Sequence, residues 1–335
     1  MPEGVLSAVG NTPLALLDQL FSDFPGQVWA KLEGLNPGGS AKDRPAREML
    51  AEAFAEGLID HDTVIVESSS GNMGIGLAQA CARYGLRFIC VVDVKTTVLN
   101  RRILEVYGAE VELVKTPEPV TGELLQARLQ RVEELCKTHP NSFWPNQYAN
   151  RNNSGAHYRS TIREVVEQLG AAPDHLFVAT STCGTLRGCC DFIRDHGFAT
   201  RIIAVDAVGS RIFGQEKTDR WIPGIGAGVR PPLCPEEWPG EVVHVTDREC
   251  VEACRWLVRR EGILAGGSSG AVVSAFDRLQ RELPPDSRCV LVLPDRGERY
   301  LDTVYDDGWV EERLGLSTEG WGGPPATPLV AGAPG

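Results

Sequence analysis

The chain is short of positive charge, and of lysine above all. Its 335 residues carry 33 Lys plus Arg against 45 Asp plus Glu, a formal net charge of −12 at pH 7. A field of that sign repels phosphate backbones and anionic membranes, so nucleic-acid binding is disfavoured. Only six lysines occur, at 31, 42, 95, 115, 137 and 217. A lysine inside a glycine-rich turn therefore stands out, although the ordinary place for a lone lysine is the solvated surface. No run of about 18 apolar residues occurs, which leaves no candidate for a membrane-crossing helix. The N-terminal MPEGVLSAVGNTP lacks the basic start and apolar stretch of a secretory leader, and a cytoplasmic protein is expected.

There is no CxxC pair among the ten cysteines. Cys81, Cys90, Cys136, Cys250 and Cys289 lie in apolar, strand-like or helix-like segments, which suits buried, reduced thiols. Cys250 and Cys254 are one helical turn apart, but no His or second cysteine pair completes a zinc set, so packing is expected and no metal. No turn reads GxGxxG, which weighs against a dinucleotide cofactor.

What is present is the composition of a folded α/β protein, 42% hydrophobic and 23% charged. Apolar, β-branched runs recur at 28–32, 63–66, 87–92, 110–114, 176–179, 201–205 and 289–293. Helix-like stretches separate them, at 45–56, 72–84, 122–137, 153–169, 186–195, 247–260 and 269–282. Near-continuous apolar strands alternating with helices predict parallel sheets covered on both faces. The alternation runs twice, from about 45 to 140 and from about 150 to 300, with a Pro- and Asn-rich crossover at 139–153. The Gly/Pro/Ala-rich tail at 317–335 is expected to fray.

Polar or glycine-rich turns fall at four strand-to-helix junctions, where open α/β sheets bind ligands: 36–44, 68–76, 181–185 and 224–228. In the first, NPGGSAKDR, small residues let the backbone approach a ligand while the next helix carries Lys42 into the cleft. In the third, Ser181, Thr182, Cys183, Gly184 and Thr185 open a helix, where backbone N–H groups and hydroxyls suit a phosphate. An ordinary Ser/Thr helix cap would look the same.

These motifs resemble, in order, those of the cysteine synthase and cystathionine β-synthase family, fold type II pyridoxal-phosphate enzymes. The 36–44 turn is similar to the family's lysine motif and SSGNMG at 69–74 to its substrate-carboxylate loop. Gln147-Tyr148 stands for its Gln-Phe pair and 181–185 for its phosphate loop. The blocks GIGAG (224–228), GGSSG (266–270) and LPDRGERY (293–300) complete a set of seven.

The resemblance implies a tryptophan synthase β-like fold with a larger cofactor-binding domain (1–44 plus 150–316) and a smaller mobile domain (45–149), in a homodimer. Lys42 would hold pyridoxal 5'-phosphate as a Schiff base and act as the catalytic base. Asn72 would hydrogen-bond the ring hydroxyl, Ser181 to Thr185 would take the phosphate, and Ser268 would face the pyridine nitrogen, where a neutral hydroxyl does not enforce ring protonation. Ser69, Ser70, Gly71, Asn72, Met73 and Gln147 would grip the substrate carboxylate. The implied activity is β-replacement through an aminoacrylate.

Three departures bear on the substrate. Ser181 stands where the family's phosphate loop begins with Gly, Tyr148 where Phe is usual, and Met73 where Thr is usual. Two added hydroxyls suit a nucleophile that needs hydrogen bonds, unlike sulfide. Together with 205–210 and 223–231, they are similar to one branch of the family, which joins O-phospho-L-serine and L-glutamate into N-(2-amino-2-carboxyethyl)-L-glutamate, a 2,3-diaminopropionate precursor in siderophore pathways. An acidic protein handling such anions needs local arginines, with Arg128, Arg220 and Arg230 as candidates. The alternative is a cysteine synthase using O-acetylserine or O-phosphoserine and a sulfur donor.

Overall fold

Strands that are apolar on both faces need helices on both faces, and the chain meets that need twice. The structure is a computed structural model that describes residues 4–236, 238 and 240–318. Apart from its first two residues, the tail expected to fray lies outside the described residues.

The elements run β1 (Leu14–Leu16), β2 (Gln27–Leu32), α1 (Asp43–Ala55), β3 (Val64–Ser68), α2 (Asn72–Tyr84), β4 (Arg87–Asp93), α3 (Val98–Val106), β5 (Glu110–Val114), α4 (Leu124–Thr138), β6 (Ser142–Phe143), α5 (Arg151–Ala156), α6 (Ile162–Leu169), β7 (His175–Ala179), α7 (Gly184–Asp195), β8 (Arg201–Ala207), β9 (Glu241–Val245), α8 (Asp247–Trp256), α9 (Gly267–Leu279), β10 (Arg288–Leu293) and α10 (Asp307–Leu314).

A six-stranded sheet has the order β1-β2-β10-β7-β8-β9, and a four-stranded sheet the order β5-β4-β3-β6. Every pairing is parallel except β1 with β2.

Alternation along each strand divides the cores. In the smaller sheet, Ile65, Phe88, Cys90 and Val92 face α1, α2 and α3, while Val66, Ile89 and Val91 pack on Val132 and Leu135 of α4. In the larger sheet, Val28, Phe177, Ile203 and Leu291 meet α8 and α9, whereas Leu176, Val178, Ala204 and Val290 meet α6 and α7. The fold is thus mixed α/β with parallel sheets flanked by helices, as expected. All ten cysteines are free thiols, and Cys250 and Cys254 pack in the core under α9.

Several elements escape the apolar periodicity. β1 and β6 are too short to show one, and β6 falls inside the expected crossover. α3 is marked instead by its cap, with Thr97 Oγ1 accepting from the Asn100 N–H at 3.2 Å. The stretches expected as single helices at 153–169 and 247–260 each contain a π turn, at His157–Thr161 and Leu257–Glu261. Such turns insert a residue into the ladder and re-aim the next side chains of the helix.

Candidate active site

Parallel strands deliver their following loops to one edge, and here the C-terminal ends of β2, β3, β7 and β10 converge. Lys42 caps the N-terminus of α1. With Val178, Pro294, Gly224 and residues 181–185 it lines the cleft at these strand ends. Its amine makes no hydrogen bond to a described residue. Burial pushes its pKa below the usual lysine value, against the opposing pull of the Asp295 and Glu33 carboxylates. Only the deprotonated form of an amine can react with a carbonyl or take a proton, and a lowered pKa enlarges that fraction.

The 181–185 turn is built as an open cradle. Cys183 adopts a left-handed φ of +63° and caps α7. The N–H groups of Ser181, Thr182, Cys183 and Thr185 find no described partner, and that of Gly184 reaches only Thr182 Oγ1, at 3.5 Å. The hydroxyls are held from behind. Asn153 Nδ2 donates to Thr182 Oγ1 at 3.3 Å, and Thr185 Oγ1 lies 3.2 Å from Nε2 of buried His157, whose Nδ1 lies 2.9 Å from Thr161 Oγ1. Burial drives the His157 pKa well down, so the ring is neutral and orients a hydroxyl rather than adding charge.

Across the cleft, Ser69 Oγ accepts from the Gly74 N–H at 2.9 Å and staples the start of α2, whose N-cap is Gly71. Gln147 donates from Nε2 to the Ser68 carbonyl at 3.0 Å, and from its N–H to Glu67 at 3.1 Å. Met73 turns its side chain into the core of the smaller sheet, leaving only backbone at the helix start. Asn72 Nδ2 donates to Asp295 Oδ2 at 2.7 Å. Ser268, at the start of α9, is buried opposite Gly224, where a Cβ would stand 3.5 Å from its Oγ.

Of the three arginines singled out in the sequence, Arg128 lies beside the 68–76 loop. It reaches from α4 to donate to Ser70 Oγ at 2.7 Å and lies 3.1 Å from Asp93 Oδ2 at the end of β4. Tyr148 is half-buried, with a hydroxyl that finds no described partner. Burial pushes its phenol pKa up, and the charges of Arg128, Glu67 and Asp93 act on it. The Ser181 hydroxyl donates to the Gly226 carbonyl at 3.3 Å and so ties two cleft walls together. Arg220 and Arg230 instead hold loop carbonyls: Arg220 donates to Ile225, and Arg230 to Ile212 and Glu236. Sequence reasoning passed over Asp93, Asp295, Arg299 and Asn153, although Asp295 and Arg299 sit inside a quoted block and Asp93 ends an apolar strand.

The residues present fit pyridoxal phosphate. The unengaged Lys42 amine would take its aldehyde, the open N–H groups at the α7 start would take its phosphate at the positive helix end, and Asn72 and Ser268 would border its ring.

Comparison with known proteins points the same way. The family described as pyridoxal-phosphate dependent enzyme matches residues 5–295. The N-(2-amino-2-carboxyethyl)-L-glutamate synthase of Cupriavidus metallidurans is 44% identical over 309 residues, 91% of this chain and 90% of its own length. The protein of the same name from Ralstonia nicotianae is 44% identical over 328 residues, 98% of this chain and 96% of its own. A solved hydrogen sulfide-producing enzyme from Fusobacterium nucleatum superposes with a TM-score of 0.83 at 32% identity, covering 90% of this chain and 100% of that one. A family match that runs from residue 5 to residue 295, on a fold whose strand ends converge at Lys42, makes this chain a member of the pyridoxal-phosphate dependent enzymes.

Proposed function

We propose that the enzyme performs a β-replacement, joining O-phospho-L-serine and L-glutamate into N-(2-amino-2-carboxyethyl)-L-glutamate with release of phosphate. The observation that carries this reading is Arg128, a buried guanidinium drawn to the carboxylate loop at Ser70 beside a free Tyr148 hydroxyl. A phosphorylated first substrate and a dicarboxylic second one both need such charge, and sulfide does not. The names of the two 44% identical relatives support the same reaction.

Pyridoxal phosphate, when bound, supplies the electron sink that acidifies an amino acid's α-hydrogen and lets its β-substituent leave. The protein's own groups do the rest. The N-terminus of α2 and Gln147 grip the substrate carboxylate, and the Lys42 amine, once deprotonated, takes the α-proton as general base. Arg128 steadies the departing phosphate. Tyr148 orients the incoming glutamate, whose amine must arrive deprotonated. The smaller sheet with its helices, residues 45–149, is the part that closes on the substrate and excludes water. The product belongs to 2,3-diaminopropionate supply, as for siderophores, in a cytoplasmic homodimer whose stoichiometry light scattering would check.

The test is a mass-spectrometric screen of amine and sulfur nucleophiles with O-phospho-L-serine and the purified holoenzyme. Glutamate should add with stoichiometric phosphate release. Efficient consumption of sulfide or thiosulfate with no glutamate adduct would reassign the enzyme to cysteine synthesis.

A further inference from the structure

The block at 293–300 belongs neither to the phosphate cradle nor to the carboxylate loop, yet it touches Asn72 on both ends of its amide. The Asn72 side chain lies between two groups that cannot exchange roles. Its Nδ2 donates to Asp295 Oδ2 at 2.7 Å, and its Oδ1 accepts from Arg299 Nη1. A carboxylate only accepts and a guanidinium only donates, so the amide has one allowed orientation and a flip would make two repulsive contacts. An amide nitrogen carries two hydrogens, and Asp295 takes one. The Tyr300 hydroxyl beside them interacts with the same amide.

The clamp is itself held. Tyr300 donates its hydroxyl to the same Asp295 Oδ2 at 2.5 Å, and Arg299 Nη2 reaches the Gly38 carbonyl on the Lys42 turn. Glycines clear its path. A Cβ on Gly266 would stand 2.2 Å from Asp295 Oδ1, and one on Gly39, whose φ is +86°, would stand 2.9 Å from Arg299 Nη2. Two glycines of two separate motifs therefore yield space to this cluster. Asp295 Oδ1 is buried without a hydrogen bond.

We propose that Asp295 and Arg299 are positioning residues that fix the orientation of the Asn72 amide where it borders the cofactor ring. The inference rests on the reading that Asn72 borders that ring. Asn72 opens α2 beside the smaller sheet, whereas Asp295 and Arg299 come after β10 in the larger one. The clamp thus also makes cofactor contact depend on the two sheets being docked. The charged and titratable groups facing Asp295 are Lys42, Arg299, Tyr300, Cys254 and Tyr305. Burial raises its pKa, while Tyr300, Asn72, Arg299 and Lys42 pull it down.

The experiment is a double-mutant cycle read by cofactor affinity and by the absorbance of the bound cofactor across pH, not by turnover. Apo protein of wild type, Asn72→Ala, Asp295→Asn, Arg299→Met and the Asn72→Ala/Asp295→Asn pair is titrated with pyridoxal phosphate, with circular dichroism as the folding control. Asn72→Ala should weaken binding about ten-fold and move the absorbance titration. Asp295→Asn and Arg299→Met should each reproduce most of that change, and Asp295→Asn should add nothing in the Asn72→Ala background. Full additivity in the pair, or wild-type affinity and spectra in both single variants, overturns the positioning role. Wild-type behaviour of Asn72→Ala itself would instead remove the reading that Asn72 borders the ring. If Asp295→Asn does not fold, Arg299→Met and Tyr300→Phe decide the matter by the same two readouts.

Discussion

Arg44 and Glu164 meet fork to fork, with Nη1 2.6 Å from Oε1 and Nη2 2.7 Å from Oε2. The same guanidinium grips Glu33 through Nε at 2.6 Å, and buried Lys31 adds a contact to Glu164 at 2.8 Å. Two cations and two carboxylates thus cancel out of water, two residues from Lys42. Removing one charge leaves its partners buried and uncompensated, at a cost of about 3–5 kcal/mol. Glu164→Gln should lower the free energy of urea unfolding by that order, and Glu164→Asp by less. An unmoved midpoint would show that the cluster contributes nothing.

Lys42 is the next test. Borohydride reduction of the holoenzyme should leave a pyridoxyl group on the peptide that contains it. Lys42→Ala should lose the label and the turnover. A label on any of the other five lysines would refute the assignment.

Arg128→Met should slow phosphate release from O-phospho-L-serine about ten- to a hundred-fold, the loss of a hydrogen bond to a charged group. O-acetyl-L-serine, which lacks the phosphate, should be affected far less. Because the change strands Asp93, the Arg128→Met/Asp93→Asn pair serves as the folding control. Equal losses with both donors would place Arg128 elsewhere in the reaction.

Tyr148→Phe combined with Ser181→Gly restores the pattern usual in cysteine synthases. Single-turnover kinetics should then show phosphate release close to wild type, while glutamate addition falls about ten- to a hundred-fold. Unaltered glutamate addition would assign both hydroxyls to packing.

Glu67 makes a pH prediction. Burial raises its pKa from the ordinary 4.5 to about 7, although Trp144 and the N–H groups of Ser68 and Gln147 donate to it. Between those values the unfolded chain has lost a proton that the native protein keeps, so stability falls as pH rises across the window and is fully present below it. The loss is at most about 3.5 kcal/mol at about 1.4 kcal/mol per unit. Urea midpoints measured from pH 4.5 to 7.5 should fall less steeply for Glu67→Gln; identical slopes would mean that Glu67 does not titrate in that range.

The long apolar runs of β3, β4 and β7 are legible in the sequence because burial on both faces leaves no alternative residue types. So is α2, bounded by the polar 68–71 turn and by Gly85 in the left-handed conformation. The π turn at His157 is not legible: apolar periodicity carries no trace of it. Arg128 could be named from the sequence only as one of three arginines. What separates it from Arg220 and Arg230 is that α4 packs over the ends of β3 and β4, a fact of tertiary structure. The partners of Asn72 lie 223 and 227 positions away, beyond any local pattern.

The central position of β10 sets the order in which the chain can be completed during synthesis. β2 pairs in parallel with β10, which emerges some 260 residues later, whereas the strands of the smaller sheet all fall between residues 64 and 143. On the ribosome that smaller sheet can close early. β2, paired with β1 on one side, must leave its other edge open until β10 arrives, and such long-range parallel pairing is slow and exposed to aggregation. Nascent chains stalled at residue 150 should therefore resist protease over 64–143 and be cut freely within the first 40 residues. Chains stalled just short of β10 should be the ones most dependent on a chaperone.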